Sequence, residues 1–327
     1  MLTDAAIETI VFAALEEDAP WGDITSELFV PATAVATAEF NAREPGVFSG
    51  AAVLVATFAA VDPSIDVSMQ IEDGDRFEAG DVLAVISGNA RGVLRAERIA
   101  LNLVQRMSGI ATLTAQFVAL AGNARIVDTR KTTPGLRAIE RHAVRSGGGF
   151  NHRYSLSDAV LAKDNHLAVL TAAGRSVTEV IREARAQLGH TMRLEVEVDR
   201  IDQIEPVLAG GVDVIMLDNF SIEELRAGVA LVDGRAVVEA SGGVSLETVA
   251  AIAATGVEHF GAASFFWYAI VLSLAFAGFA LWRTLQQPKV DNREEFVAYP
   301  QTSPAVYEWL PRKDDGVSPT DTKGEVP

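Results

Sequence analysis

The chain has 327 residues, 49% of them hydrophobic, and a formal net charge of -17. That length holds two domains or one large α/β domain, and the apolar content excludes general disorder. The absence of cysteine excludes a disulfide framework, a thiolate zinc site and a cysteine nucleophile, and the overall acidity argues against nucleic acid as a partner.

The N-terminal stretch MLTDAAIETIVFAALEEDAP carries acids throughout and no basic lead-in, which is not the pattern of a signal peptide. A cytoplasmic catalytic domain is therefore expected. The stretch reads as an amphipathic helix with Ile7, Ile10, Val11, Ala14 and Leu15 on one face. EEDAPWGDIT (16–25) reads as a loop. ATAEFNA (36–42) and IDVSMQI (65–71) alternate as strands, with a helix between them over 50–61 and turns at DGD and AGD near 73–81. Residues 91–121 read as helix, with a break at Gly109.

Beyond that helix a βα rhythm begins. RIVDT (125–129), AVLAK (159–163), RLEVEV (193–198), DVIMLD (213–218) and AVVEAS (236–241) read as strands. SVTE (176–179) and SIEE (221–224) fit capping boxes that would start the intervening helices. Alternating βα units imply a parallel sheet, closed or nearly closed as a barrel. An open doubly wound sheet is the alternative, but no GxGxxG turn supports it. Each expected strand ends in polar chemistry: Asp128, Arg130 and Lys131; Lys163, Asp164, Asn165 and His166; Glu195 and Glu197; Asp218 and Asn219; Ser241, Gly242 and Gly243. In a barrel these ends meet at one mouth. Between Arg91 and Lys163 there are 12 Lys/Arg and only 4 Asp/Glu, a local positive excess suited to a small polyanion.

From Phe260 to Trp282 the chain runs 23 residues without a charge. As a helix that is about 34 Å, enough for a hydrocarbon layer of roughly 30 Å, and Trp267, Tyr268 and Trp282 stand near its ends. The expected organisation is an N-terminal domain over 1–108, a barrel over 109–259, a hydrophobic helix over 260–283 with membrane contact through 264–282, and a polar, Pro-rich, disordered tail over 284–327.

Several stretches together carry a resemblance: EDAPWGDIT, RAERIALNLVQRMSGIAT, DTRKTTPGLR, GGGFNHRYSLSDAVLAKDNH, LEVEVD, IMLDN and EASGG. Residues 1 to about 258 resemble quinolinate phosphoribosyltransferase, also called nicotinate-nucleotide pyrophosphorylase (carboxylating). The resemblance implies an α/β sandwich domain on an open, seven-stranded α/β barrel, assembled as a homodimer or larger oligomer. It implies the joining of quinolinate to phosphoribosyl diphosphate in NAD biosynthesis, with magnesium accompanying the diphosphate and no tightly bound organic cofactor. By match to the family, Arg130, His152 and Arg153 hold the quinolinate carboxylates, and Arg98 reaches in from the neighbouring subunit. Lys131, Thr132 and Lys163 also face substrate. Glu195 and Asp218 take the ribose hydroxyls and the magnesium shell, and Ser241, Gly242 and Gly243 take the 5-phosphate near a helix expected to start at Ser245. Lys131, Lys163, Glu195 and Asp218 form the expected catalytic set.

Some assignments keep competitors. Glu197 shares a strand face with Glu195, which is chosen by motif position alone. Arg95 competes with Arg98 and reads as an outer helix charge. Arg137 and Arg141 suit either surface pairing with Glu140 or a phosphate. His142, His190 and His259 read as structural or exposed, and GGG (147–149) as a loop. After TGV (255–257) the chain departs from the family pattern, so the last strand, its loop and the closing helix are expected to be missing or replaced, and no phosphate role passes to Gly261. Two accounts of 260–327 follow, a membrane tether or a fusion or frame-shift junction. The alternative function is an impaired, membrane-associated homologue that binds without turning over.

Overall fold

The computed structural model describes residues 2–261 and the backbone of 280–285. The first helix, α1 (Asp4–Asp18), is capped by Thr3, whose side chain accepts from Ala6 N–H, and it buries Ile7, Ile10, Val11 and Leu15. The loop expected over 16–25 narrows to 19–23, and a short second helix follows it, α2 (Ile24–Phe29), capped by Asp23. The N-terminal domain continues through β1 (Val35–Asn41), β2 (Gly46–Val47), α3 (Ala51–Val61), β3 (Asp66–Met69), β4 (Arg76–Phe77) and β5 (Val82–Asn89). β5 has no counterpart in the sequence expectations, yet it is the strand that joins β1 to β3.

The long helix α4 (Ala90–Leu120) runs unbroken through Gly109, contrary to the expected break. Asn89 starts it by accepting the N–H groups of Arg91 and Gly92. Val93, Ala96, Ala100, Leu101 and Val104 of α4 pack into the N-terminal core around Phe40, Phe48 and Phe58. Met107, Ile110, Leu113 and Phe117 pack into the larger second core, with α1 and the barrel. The expected boundary at 108/109 thus falls inside one helix.

The second part alternates β6 (Arg125–Val127), α5 (Arg137–Ser146), β7 (Val160–Ala162), α6 (Asp164–Ala172), α7 (Val177–Gln187), β8 (Leu194–Val198), α8 (Ile204–Gly210), β9 (Val214–Asp218), α9 (Ile222–Val232), β10 (Val237–Ser241), α10 (Val249–Ala253) and β11 (His259–Gly261). All five expected strands form. The capping box at Ser221 and Glu224 also forms, whereas Ser176 makes no side-chain cap. The six strands pair in the order β6-β11-β10-β9-β8-β7, every pair parallel. The described residues therefore supply six barrel strands, not seven. Phe150 forms an isolated bridge to Val127 beside β6.

The sheet is curled. A flat sheet would separate β6 from β8 by four spacings, about 19 Å. Yet His152 alone spans that interval, its N–H donating to Asp128 just after β6 and its ring meeting Glu195 on β8, both at 2.9 Å. The strands wrap into an open barrel whose seam lies between β6 and β7.

The C-terminal expectation needs correction. Residues 259–261 are strand, not the start of a helix: β11 inserts between β10 and β6 and buries Phe260 completely. Residues 280–285 form β12 (Ala280–Leu285), antiparallel to β1 on the edge of the N-terminal sheet, so Trp282 does not end a helix. Among the described residues no helix is long and apolar enough to cross a membrane. The rest of the expected hydrophobic helix and the polar tail lie outside the described residues.

If β11 is a working strand of the barrel, Phe260→Ala should lower stability by about 3–5 kcal/mol, as removal of a buried aromatic does. Urea denaturation checks this, and a loss below about 1 kcal/mol would mean that Phe260 lies outside the core.

Candidate active site

One cavity of about 670 Å³ opens at the C-terminal ends of the strands. Every barrel strand or the turn after it contributes: Asp128 to Lys131 after β6, Leu161 and Lys163 at β7, Glu197 on β8, Asp218 and Asn219 at β9, Glu239 and Ser241 to Gly243 at β10, and Gly261 on β11. His152 and Arg153 line it from the segment that follows α5.

Two buried carboxylates fix the cationic side. Asp128 is fully buried and accepts from Arg141 Nη1 and from His152 N–H, each at 2.9 Å, and from the Asn151 amide. Arg141 also donates to the carbonyls of His152, at 2.6 Å, and Arg153, at 3.2 Å. It is nearly buried and takes neither of the roles weighed for it. Burial pushes the Asp128 carboxyl above its ordinary value, and Arg141 opposes that rise. Glu140, fully buried, accepts from Arg106 Nε at 2.8 Å and from Thr133 N–H at 3.1 Å. Arg106 Nη2 also reaches Thr133 Oγ1, so α4 and α5 together clamp the loop that presents Arg130 and Lys131.

The sequence-expected residues divide clearly. Arg130, Lys131, His152, Arg153, Lys163, Asp218, Ser241, Gly242 and Gly243 meet in the cavity. Arg130 Nε is buried with no hydrogen-bond partner, and the Lys131 ammonium has none among the described residues. Thr132 instead accepts from Arg137 Nε at 3.0 Å, outside the lining. Arg98 is exposed on α4, away from the cavity, whereas Arg95 is half-buried and donates to the Ala19 carbonyl at 3.1 Å. The helix expected at Ser245 begins at Val249, so Ser241 to Gly243 form a free-standing turn with left-handed Gly242 and Gly243.

Glu195 does not line the cavity. It lies below, bonded to His152, and Glu197 takes the position at the mouth, paired with Lys163 Nζ. β8 explains this: Leu194, Val196 and Val198 face the core, and both glutamates face the lumen. Ala162 pairs with Val196, so the next residue, Lys163, comes level with Glu197.

Beneath the mouth sits a buried trio. His152 Nε2 is 2.9 Å from Glu195 Oε2 and 3.8 Å from Glu239 Oε2. Its Nδ1 accepts the Arg153 N–H at 2.8 Å, which leaves the proton of the neutral ring on Nε2. Burial opposes charging of the ring, but the Glu195 hydrogen bond and the charges of Glu195, Glu239 and Asp128 outweigh it and raise the His152 pKa. Burial, reinforced by Glu195, pushes Glu239 up to about 8. Sequence reasoning passed over Glu239; its alternation with Ser241 along β10 placed it on the lumen face and was the available signal. The other histidines are structural or exposed, and His142 Nε2 joins Asp73 at 2.6 Å across the domains.

Comparison with known proteins now adds to the geometry. Family models for quinolinate phosphoribosyl transferase match the chain twice, the N-terminal domain over 23–108 and the C-terminal domain over 110–276. The second match runs past residue 258, where the sequence resemblance was set to stop. A nicotinate-nucleotide pyrophosphorylase [carboxylating] of Mycobacterium leprae is 46% identical over 264 residues, covering 78% of this chain and 91% of that protein. A probable enzyme of the same description from Bacillus subtilis is 41% identical over 245 residues, covering 74% and 83%. Among solved structures, NadC from Streptococcus pyogenes superposes with a TM-score of 0.77 at 38% identity, covering 81% of this chain and 93% of that one.

The raised pKa of Glu239 has a stability consequence. The folded state holds its proton more tightly than the unfolded state, so its contribution is complete below about pH 4.5 and is lost as pH rises through about 8. Glu239→Gln, which needs no proton, should flatten the fall of stability across that window by up to about 1.4 kcal/mol per pH unit. Thermal unfolding followed against pH checks it, and an unaltered slope would exclude Glu239 as the titrating group.

Proposed function

The chain belongs to the quinolinate phosphoribosyltransferase family, and we propose that its barrel mouth performs the family reaction through a division of charge within one cavity. The reaction transfers the phosphoribosyl group of phosphoribosyl diphosphate to quinolinate and yields nicotinate mononucleotide, pyrophosphate and carbon dioxide, a step of NAD biosynthesis. The observation that carries the site reading is the pairing of cations that lack carboxylate partners, Arg130 and Lys131, with a carboxylate rim, Glu197 and Asp218, across the same cavity.

Quinolinate is a planar dicarboxylate, and guanidinium forks suit carboxylates. Arg130 and Arg153 take that ligand; Arg141 of the Asp128 network holds the Arg153 carbonyl, and His152, both ring nitrogens already engaged, supports Arg153 rather than the ligand. The 5-phosphate goes to the N–H groups of the Ser241–Gly243 turn. Lys131 and Lys163 face the diphosphate. Glu197, in the position expected of Glu195, and Asp218 face the ribose.

Magnesium fits this rim, because Glu197 and Asp218 offer the hard oxygen donors it prefers. Bound there, it would neutralise charge on the departing diphosphate. The residues of the chain do the rest by position. As the bond from the anomeric carbon to the diphosphate oxygen breaks, its electron pair leaves with the diphosphate towards Lys131 and Lys163. Positive charge grows on the ribose opposite Glu197 and Asp218. The ring nitrogen of quinolinate forms the new bond to the anomeric carbon. The C2–carboxylate bond then breaks, its electron pair is stabilised beside the cationic ring nitrogen, and C2 takes a proton from water.

The working unit is a homodimer in which Arg98 serves the partner's cavity. Its distance from its own cavity supports this, as does the apolar surface on and beside α2, where Trp21 is 91% and Phe29 82% exposed beside Leu28 and Ile24.

Purified protein supplied with quinolinate, phosphoribosyl diphosphate and magnesium should form nicotinate mononucleotide, and no turnover above background would refute the reading. Lys131→Ala should lower kcat by about 10²–10³-fold with the melting temperature unchanged. Mixing Arg98→Ala and Lys131→Ala subunits in equal amounts should restore roughly a quarter of wild-type activity, since half the dimers would carry one intact site. No recovery would place Arg98 in its own subunit's site, and full activity of Arg98→Ala alone would place it outside catalysis.

A further inference from the structure

The ends of β9 and β10 lie side by side, with Asp218 opposite Ser241 in the parallel register. Asn219 ties the two ends together in three ways. Its backbone N–H donates to the Ser241 carbonyl at 2.8 Å. Its side-chain Nδ2 donates to Asp218 Oδ2 at 2.7 Å. Its amide also packs on Gly242, where an added Cβ would lie 2.7 Å from Asn219 Cγ and collide with Oδ1. Asn219 achieves this with φ of 59°, the left-handed region that few residues other than glycine occupy and that asparagine tolerates best. Backbone strain of this kind is held where the surroundings over-determine it.

We propose that Asn219 is a positioning residue that couples the two ends of phosphoribosyl diphosphate, locking the Asp218 carboxylate and the Ser241–Gly243 turn into one unit. The inference rests on the assignment of Asp218 to the ribose and the magnesium that accompanies the diphosphate, and of the turn to the 5-phosphate. Fixing Oδ2 of Asp218 leaves the other oxygen to face a cation shell. An anion that tightens the turn acts on Ser241 and Gly242, both of which bear directly on Asn219. The carboxylate is then already oriented when the second group arrives. Coupling of this kind must be reciprocal between the two subsites.

Two variants separate this role from a merely structural turn. Asn219→Gly keeps the left-handed backbone and the N–H to Ser241 but deletes the amide. Asn219→Asp keeps the shape but sets an acceptor against Asp218. Calorimetric titration of the full-length protein with magnesium pyrophosphate, with and without saturating ribose 5-phosphate, reads the coupling without turnover. In the wild type, ribose 5-phosphate should tighten magnesium pyrophosphate by at least about 5-fold. In Asn219→Gly that factor should fall below about 2-fold, while ribose 5-phosphate alone binds within about 3-fold of wild type. Asn219→Asp should weaken magnesium pyrophosphate by about 10-fold and decides the matter if Asn219→Gly fails to fold. In steady state the KM for phosphoribosyl diphosphate should rise about 10-fold in either variant, and that for quinolinate by less than about 3-fold. Coupling retained in Asn219→Gly, or absent from the wild type, would overturn the proposal. A wild type that couples the two ligands yet makes no nicotinate mononucleotide would instead overturn the assigned reaction and leave the role of Asn219 standing.

Discussion

The buried carboxylate of Asp128 is the constraint on which the mouth depends. A carboxylate taken fully out of water is costly unless donors converge on it, and here three do. Arg141 comes from α5, and Asn151 and the His152 N–H come from the segment that closes the seam. Satisfying one buried group therefore forces that segment under the end of β6. His152 and Arg153 are delivered into the cavity as a result. The Arg106–Glu140 pair does the same for the loop on the other side, through Thr133. Both carboxylates are engaged by donors of the chain itself, yet together they fix the backbone of His152 and Arg153 and the loop that carries Arg130 and Lys131.

Charge is arranged here against the bulk composition. The chain as a whole is strongly acidic, but the cavity gathers Arg130, Lys131, Arg153 and Lys163. An acidic exterior around a cationic pit concentrates the field for small anions at one opening. Within the pit, Lys163 is paired with Glu197, whereas Arg130 and Lys131 have no carboxylate partner among the described residues and keep their charge for an anion.

The fold was largely readable because strands ending in polar residues repeat with helical intervals, and all five expected barrel strands form. What could not be read was depth and partnership. Alternation puts Glu195 and Glu197 on one face, but only the register of β8 against β7 sets Glu197 level with Lys163. Arg141 stays open between a surface pair and a phosphate in the sequence, because helical periodicity does not reveal a buried acid beside another strand. β5 was missed because a run such as VLAVI has no period of its own. The charge-free run after residue 259 suggested a membrane helix, although its first residues complete the sheet: Phe260 is apolar because it enters the barrel core.

The helix α4 carries a final consequence. Its first half packs into the N-terminal core, with Ile99 and Leu103 turned to the larger one, its second half packs into the larger core, and the two family models meet within it. Architectural division and folding cooperativity thus part company. Cutting the chain where the models meet would sever a helix that both cores share and leave each fragment with half of it and an open apolar face. The two domains are separable on paper, but a helix packed into both cores is expected to make them unfold as a single cooperative unit.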